Sequence, residues 1–409
     1  MLERKERADV IVVGAGITGT SVAYHLLEQG IKNVVVLDAG SPASGTSSAG
    51  GGFVALWAAG FNKHFTETDL AMEHYGIEFY GRLAADYPID YRHRGTLFVA
   101  TSDQGWEEWI APIAQHPRAP KDARTLDPHE VSALTDGVIA AEAVVGGILH
   151  PAGLQMSAGR ANRALADEIV ARGGEIRTES RVNRLLVTDG RVTGVVTDAG
   201  ELEAGHVVLA AGAWTNQLLA DVGFNIPLMT LVATRAISLP SGVSNEMPTV
   251  LVPELSGLWL REHRGGLTYG NGDGYAPLFS LGGSVGDPGQ PRREELLERL
   301  KVALTPELRK LVPSHDTSVA WWLQGMPCMT PDRHFVAGPV PGVEGLHVLA
   351  GDNEAGVTHG PGLGRLLAEM VINGSSDWID SSAYRPDRFE ADAFPTEESI
   401  FEAIPAHHH

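Results

Sequence analysis

Both ends of this chain alternate unbroken apolar runs with apolar positions at helical spacing, and the middle reads differently. Residues 10–13 (VIVV) have the length and β-branched content of a buried parallel strand. Val22, Leu26 and Leu27 then recur on one helical face, which stops at Gly30. Residues 34–37 (VVVL) form a second apolar strand. Further along, the pattern predicts a helix over 66–85 and a strand over 97–100. Asp127-Pro128-His129-Glu130 is a capping box with proline at the first helical position, so it opens a short helix. A helix over 154–172 ends at Gly173-Gly174, and 175–177 add a third strand to the first sheet. Residues 182–187 and 192–196 flank Asp189-Gly190 as a hairpin, Leu202 lies in a further strand, and 206–209 form another. Between 221 and 324 the chain is strand-rich, with strands over 229–239, 258–262, 267–269 and 318–323 and one amphipathic helix over 293–304. The α/β texture then returns in strands over 335–337 and 346–350 and a helix over 361–372.

The turn after the first strand carries chemistry. It reads Gly14-Ala15-Gly16-Ile17-Thr18-Gly19. Gly14 permits a tight turn, Gly16 lets a pyrophosphate approach the backbone, and Gly19 lets the helix lie close to the strand. The N–H groups at the helix start then face the phosphates. Asp38, 19 residues after Gly19, stands where a carboxylate holds a ribose hydroxyl. An acid there favours a free 2′-hydroxyl, hence FAD or NAD rather than NADP. The small-residue loop that follows, with Ala39, Gly45, Thr46, Ser47, Gly51 and Gly52, suits phosphate and flavin-edge contacts. Small residues recur after the 206–209 strand, at Ala211, Gly212 and Trp214, where a bound group can approach.

Composition narrows the class. The chain has 409 residues, enough for two domains, with 43% hydrophobic and 20% charged residues. No apolar run reaches the length of a membrane span, and the charged start MLERKERAD is not a secretory signal. The one cysteine, Cys328, fits a reducing compartment, so cytoplasmic is the expectation. A net charge of −20 argues against nucleic acid and anionic membrane as partners. His407-His408-His409 has the look of a tag remnant, and His64, His150, His263 and His334 lack metal-ligand spacing. No metal is expected.

Five stretches together resemble the D-amino-acid oxidase superfamily of FAD-dependent amine oxidoreductases, the branch of glycine oxidase, sarcosine oxidases and D-amino-acid dehydrogenases. They are GAGITG with Asp38, the GTSSAGGG loop, HVVLAAGAW at 206–214, QGMPCMTPDRH at 324–334 and GPVPGVEGLHVLAGDNEAGVTHGPGLGRLL at 338–367. The resemblance implies an α/β fold: a discontinuous Rossmann-like FAD-binding domain and an α+β substrate domain with a mainly antiparallel sheet. The first would take 1–85, 148–220 and 325–390, the second 86–147 and 221–324, with 391–409 as a tail. It implies that backbone near Val182 contacts adenine. It also implies that Gly351, Asn353, Gly356, Val357 and Thr358, in the loop before the last helix, face the flavin pyrimidine edge. The implied reaction moves a hydride from the substrate α-carbon to flavin N5. The resulting imine is hydrolysed to an oxo product and an amine or ammonia, and O2 or another acceptor reoxidises the flavin.

Several positions depart from those relatives. Pro327 stands where an arginine anchors the substrate carboxylate, and Thr358 where a lysine does so in monomeric sarcosine oxidase. Residues 53–57 replace that enzyme's arginines, and no lysine lies near Leu267-Thr268-Tyr269. Gly325 matches the flavin-linking cysteine, with Cys328 three residues on, so non-covalent FAD is expected. Replacements for the missing anchor are Arg261 and, less favoured, Arg235. Glu354 would bind a cationic group or act as a base, which suggests a basic amino acid. Asp352, Asn353, Thr358 and His359 would contact flavin or substrate, and Trp57, Trp259, Trp321 and Trp322 are candidates for the pocket wall. The leading expectation is an FAD-dependent amino-acid or amine oxidase or dehydrogenase. The alternatives are an NAD-dependent dehydrogenase and a non-catalytic flavin-binding sensor.

Overall fold

The computed structural model describes residues 7–55, 66–115, 121–279, 291–390 and 392–404. Trp57 and His64 lie outside them. Two large sheets organise the rest, a mixed α/β arrangement. In the first, the strands run in the order Val336–Pro339, Leu346–Ala350, Gly200–Leu209, Arg7–Val13, Val34–Leu37, Glu175–Arg177. The inner pairings are parallel, with Val10 opposite both His206 and Val34, and the Val336–Pro339 edge is antiparallel. Their β-branched side chains are buried because helices cover the sheet. Gly200–Leu209 is one strand, where the sequence pattern suggested two. Its first half pairs with the Arg191–Thr197 hairpin strand and its second half enters the parallel sheet.

The second sheet runs Tyr275–Pro277, Met229–Ser238, Gly266–Gly270, Leu258–His263, Thr249–Val252, Thr96–Ala100, Gly146–His150, Arg124–Leu126. Val319–Gly325 and Cys328–Met329 also pair with Met229–Ser238. All these pairings are antiparallel except Thr249–Val252 with Thr96–Ala100. The strand at Gly146–His150 was not expected; the pattern reads His150-Pro151-Ala152-Gly153 as a turn after a region of short mixed segments. Alternation divides this sheet cleanly. Ala236, Leu260, Leu267 and Tyr269 face the helix Glu294–Leu311 and its leucines. Arg235, Trp259, Arg261, Thr268 and Tyr275 lie on the opposite face.

Two helices outrun their expected bounds across a proline. Glu294–Leu311 continues past Pro306, which frees the carbonyl of Val302 on an exposed turn (77% exposed) where water can satisfy it. Gly356–Asn373 starts five residues before the predicted start at Pro361. Proline there cannot donate to the carbonyl of Val357, and the Tyr80 hydroxyl donates to that oxygen instead, at 2.7 Å. This helix packs tightly on Ile17–Glu28, and a Cβ at Gly364 would stand 2.5 Å from the Cβ of Ser21.

Candidate active site

A cavity of about 600 Å³ lies between the two sheets. That is within the usual size of cofactor sites. At one end is the glycine turn. Gly14 has φ +109°, and a Cβ there would stand 2.3 Å from the carbonyl oxygen of Ala210. The turn is pinned from outside: Asn162 donates to the Ala15 carbonyl at 2.9 Å and accepts from the Thr20 hydroxyl at 2.6 Å. Asp38 accepts from Ala15 N at 2.6 Å and Gly40 N at 2.7 Å, and Ser47 Oγ accepts from Ile17 N at 2.9 Å. Asn162 was not singled out in the sequence; nothing local marks a helix asparagine 142 residues from its partner Thr20.

The predicted cofactor contacts converge on this cavity. Gly14, Gly16, Ile17, Thr18, Asp38, Ala39, Gly45, Thr46, Ser47, Gly51, Gly52, Val182, Ala211, Gly212, Trp214, Gly351, Asn353, Gly356, Val357 and Thr358 all line it. Gly19 sits behind the turn, against the Gly14 carbonyl. Asn353 has its side chain engaged, accepting from Thr330 N and donating to Gly351 O.

At the other end the wall is the open face of the second sheet. Trp259 and Glu354 line the cavity, joined by Tyr275. The Tyr275 hydroxyl lies close to both the Glu354 carboxyl and the Trp259 indole. Burial raises the Glu354 pKa above the usual carboxylate range, while Arg333 and the tyrosine bond pull it back. Burial pushes Asp352 up to about 7, against the backbone bonds it accepts from Glu354 N and Cys328 N. His359 also borders the cavity, 3.9 Å from Glu73, and burial brings it down to about 4. Tyr275 gave no sequence signal, whereas Arg333 stood within the QGMPCMTPDRH stretch and was overlooked there.

Three expectations need correction. Arg261 does not reach the cavity. It is 2% exposed, and its guanidinium donates to the carbonyls of Gly51, Glu262 and Met156. It braces the small-residue loop from behind. Arg235, the less favoured arginine, does line the cavity. Neither Trp321 nor Trp322 does: Trp321 is 67% exposed, and Trp322 stacks under Arg292 on the far face. Among the described residues no group of three metal-ligating side chains exists, and no helix is long and apolar enough to cross a membrane.

Comparison with known proteins agrees with this geometry. The family model described as FAD dependent oxidoreductase matches residues 9–370. The 4-methylaminobutanoate oxidase (formaldehyde-forming) of Paenarthrobacter nicotinovorans is 29% identical, over 93% of this chain and 45% of its own length. The mitochondrial pyruvate dehydrogenase phosphatase regulatory subunit of Mus musculus is 26% identical, over 90% of this chain and 42% of its own. The chain thus spans under half the length of those two relatives. Glycine oxidase from Geobacillus kaustophilus has the same fold, with a TM-score of 0.80 at 20% identity over 94% of this chain and 100% of that one. With the match covering most of its length, the chain belongs to the FAD dependent oxidoreductase family, the D-amino-acid oxidase superfamily its motifs resemble.

Proposed function

We propose that this chain binds FAD without a covalent bond and oxidises the carbon–nitrogen bond of an amino acid or secondary amine. One observation carries the reading: the Gly14–Asp38 turn and the start of the Gly356–Asn373 helix border a single cavity. Its residues fit FAD. The turn is open to a pyrophosphate because Gly14 and Gly16 carry no side chain, and the Asp38 carboxylate stands beside it. The partial positive charge at the late helix's start suits the electron-rich edge of a reduced flavin. In this reading the first sheet belongs to the FAD domain (1–85, 148–220, 325–390) and most of the second to the substrate domain (86–147, 221–324); strands Gly146–His150 and Val319–Gly325 cross the boundaries, and Cys328–Met329 pairs with the second sheet from the FAD-domain side.

FAD, when bound, accepts the hydride from the carbon beside the nitrogen. The chain's own work is positioning and proton handling. An amine reacts in its neutral form, so its ammonium must lose a proton first. Glu354, buried at the cavity wall beside Tyr275 and with its pKa raised by burial, is placed to take that proton. Trp259, packed on Phe53, gives one wall of the cavity an apolar surface. The product imine is hydrolysed by water to an oxo acid or aldehyde plus amine or ammonia. A basic-amino-acid substrate is less favoured by this geometry, because Arg333 already stands near Glu354.

The test is an anaerobic bleaching screen of the FAD-reconstituted protein across L- and D-amino acids and N-methyl amines. Bleaching by at least one amine, with all flavin released on acid precipitation, is expected. Likeness to a regulatory subunit favours one second reading, a non-catalytic flavoprotein. That reading predicts bound flavin that no amine bleaches.

A further inference from the structure

Resting on the reading above, we propose that Arg235 anchors the substrate's carboxylate, and that the wall beside it selects a bulky apolar or aromatic group on the same substrate.

Arg235 lies on Met229–Ser238 and is 7% exposed, yet it borders the cavity. Its Nε donates to Thr268 Oγ1 and its Nη1 to Gly50 O, each at 2.7 Å. Both acceptors are neutral. Among the described residues Nη2 makes no hydrogen bond, and no carboxylate pairs with the guanidinium. Nη2 is not among the sealed, unsatisfied atoms either, so it meets open space, and the cavity is the space Arg235 borders. A buried cation with a fixed orientation and one free edge is set up to receive a carboxylate. Its neighbours do not compete. Arg261 is engaged by three carbonyls, and Glu262 pairs with Arg92. Burial lowers Arg235 only to about 10, so it stays charged at neutral pH. The anion is not a cofactor phosphate in this geometry. Gly50, which Arg235 holds, sits against Val357 at the late helix's start, whereas the phosphates belong at the glycine turn.

The adjoining wall is apolar. Phe53 and Trp259 pack with ring centroids 5.4 Å apart, beside Leu251 and Trp109. Trp109 comes from the π-helical turn Trp106–Ile110, a distortion that often aims a side chain into a site. A substrate held at Arg235 thus has an aromatic surface within reach.

The test uses FAD-reconstituted protein and inert probes, benzoate and its neutral counterpart benzamide, titrated against the flavin spectrum. Benzoate is expected to bind at least about tenfold tighter than benzamide. Arg235→Met is expected to weaken benzoate about 30-fold or more and leave benzamide unchanged, with Arg235→Lys between. Trp109→Ala is expected to cut the preference for phenylalanine over alanine about tenfold. Equal binding of the two probes, or unchanged benzoate affinity in flavin-loaded Arg235→Met or Arg235→Lys, overturns the anchor. An unchanged phenylalanine-to-alanine ratio overturns the apolar selection. Benzoate binding needs no turnover, so a protein that binds it but oxidises nothing refutes the catalytic reading and leaves the anchor standing.

Discussion

The glycine-turn end of the cavity is built by small and polar residues from one contiguous stretch of chain; the sheet-face end is built by large side chains from scattered segments. The first end is built from Gly14 to Asp38, a strand, a turn, a helix and a strand in direct succession, with Ser47 close behind. The second takes Arg235, Trp259, Tyr275, Arg333 and Glu354 from five separate places in the chain. Backbone geometry is dictated by local residue type: at the first end a Cβ on Gly14 would meet the Ala210 carbonyl and one on Gly19 the Gly14 carbonyl, so neither tolerates a side chain. A side-chain wall can be rebuilt one residue at a time while the fold persists.

The sharpest way to break this contrast is at Gly14. A side chain there meets the Ala210 carbonyl at 2.3 Å in a backbone conformation with φ +109°. Gly14→Val is expected to abolish flavin retention and cost about 3 kcal/mol of stability, read by flavin content and thermal melting. Substantial flavin retention in this variant would mean the turn is not the cradle. At Asp38 the effect is smaller. Its carboxylate accepts two backbone N–H bonds, so Asp38→Ala should weaken FAD about 10- to 100-fold in equilibrium dialysis.

Arg261 probes the same contrast from the other side. Its removal takes a donor from three carbonyls, those of Glu262 and Met156 in buried bonds. Arg261→Met should therefore cost about 2–4 kcal/mol in chemical denaturation, with little change in benzoate affinity. A large loss of benzoate affinity at full stability would restore the sequence-based expectation that Arg261 binds substrate. Tyr275→Phe sits lower on the scale. The tyrosine bond lowers the Glu354 pKa, so its loss should move the acidic limb of the kcat/KM profile towards higher pH, with a rate loss of about tenfold.

The cradle was legible because its signals are contiguous: apolar run, glycines, helical spacing, apolar run, acid. The late helix was legible in kind but not in its start. Pro361 looked like a first-turn residue, and the hydroxyl that satisfies the carbonyl it leaves unpaired comes from Tyr80, 277 residues away from Val357. The two arginines show where local reading stops. Arg235 and Arg261 are both strand arginines facing the same side, and alternation cannot rank them. What separates them is what surrounds each guanidinium: the carbonyls of Gly51, Glu262 and Met156 take all three nitrogens of Arg261, while Gly50 and Thr268 take only two of Arg235. That is decided by packing across about two hundred residues, as is the Tyr275 link to Glu354.

The smallest expected effect lies at Asp352, in the loop before the late helix. Burial raises its folded pKa from 3.8 to about 7. A carboxyl raised in the fold binds its proton more tightly there than in the unfolded chain. Its contribution to stability is therefore fully present below about 4 and lost as pH rises through about 7. Buried histidines such as His25 and His359, held near 4, slope the other way in part of this range, so the wild-type curve alone is ambiguous. The difference between wild type and Asp352→Asn isolates the group. Asparagine also loses an acceptor for Glu354 N or Cys328 N, but that offset does not change with pH. Melting of the apoprotein from pH 4 to 8 should show the wild type losing stability relative to the variant as pH rises. A flat difference would mean that the bonds from Glu354 N and Cys328 N outweigh burial and that Asp352 is ionised throughout.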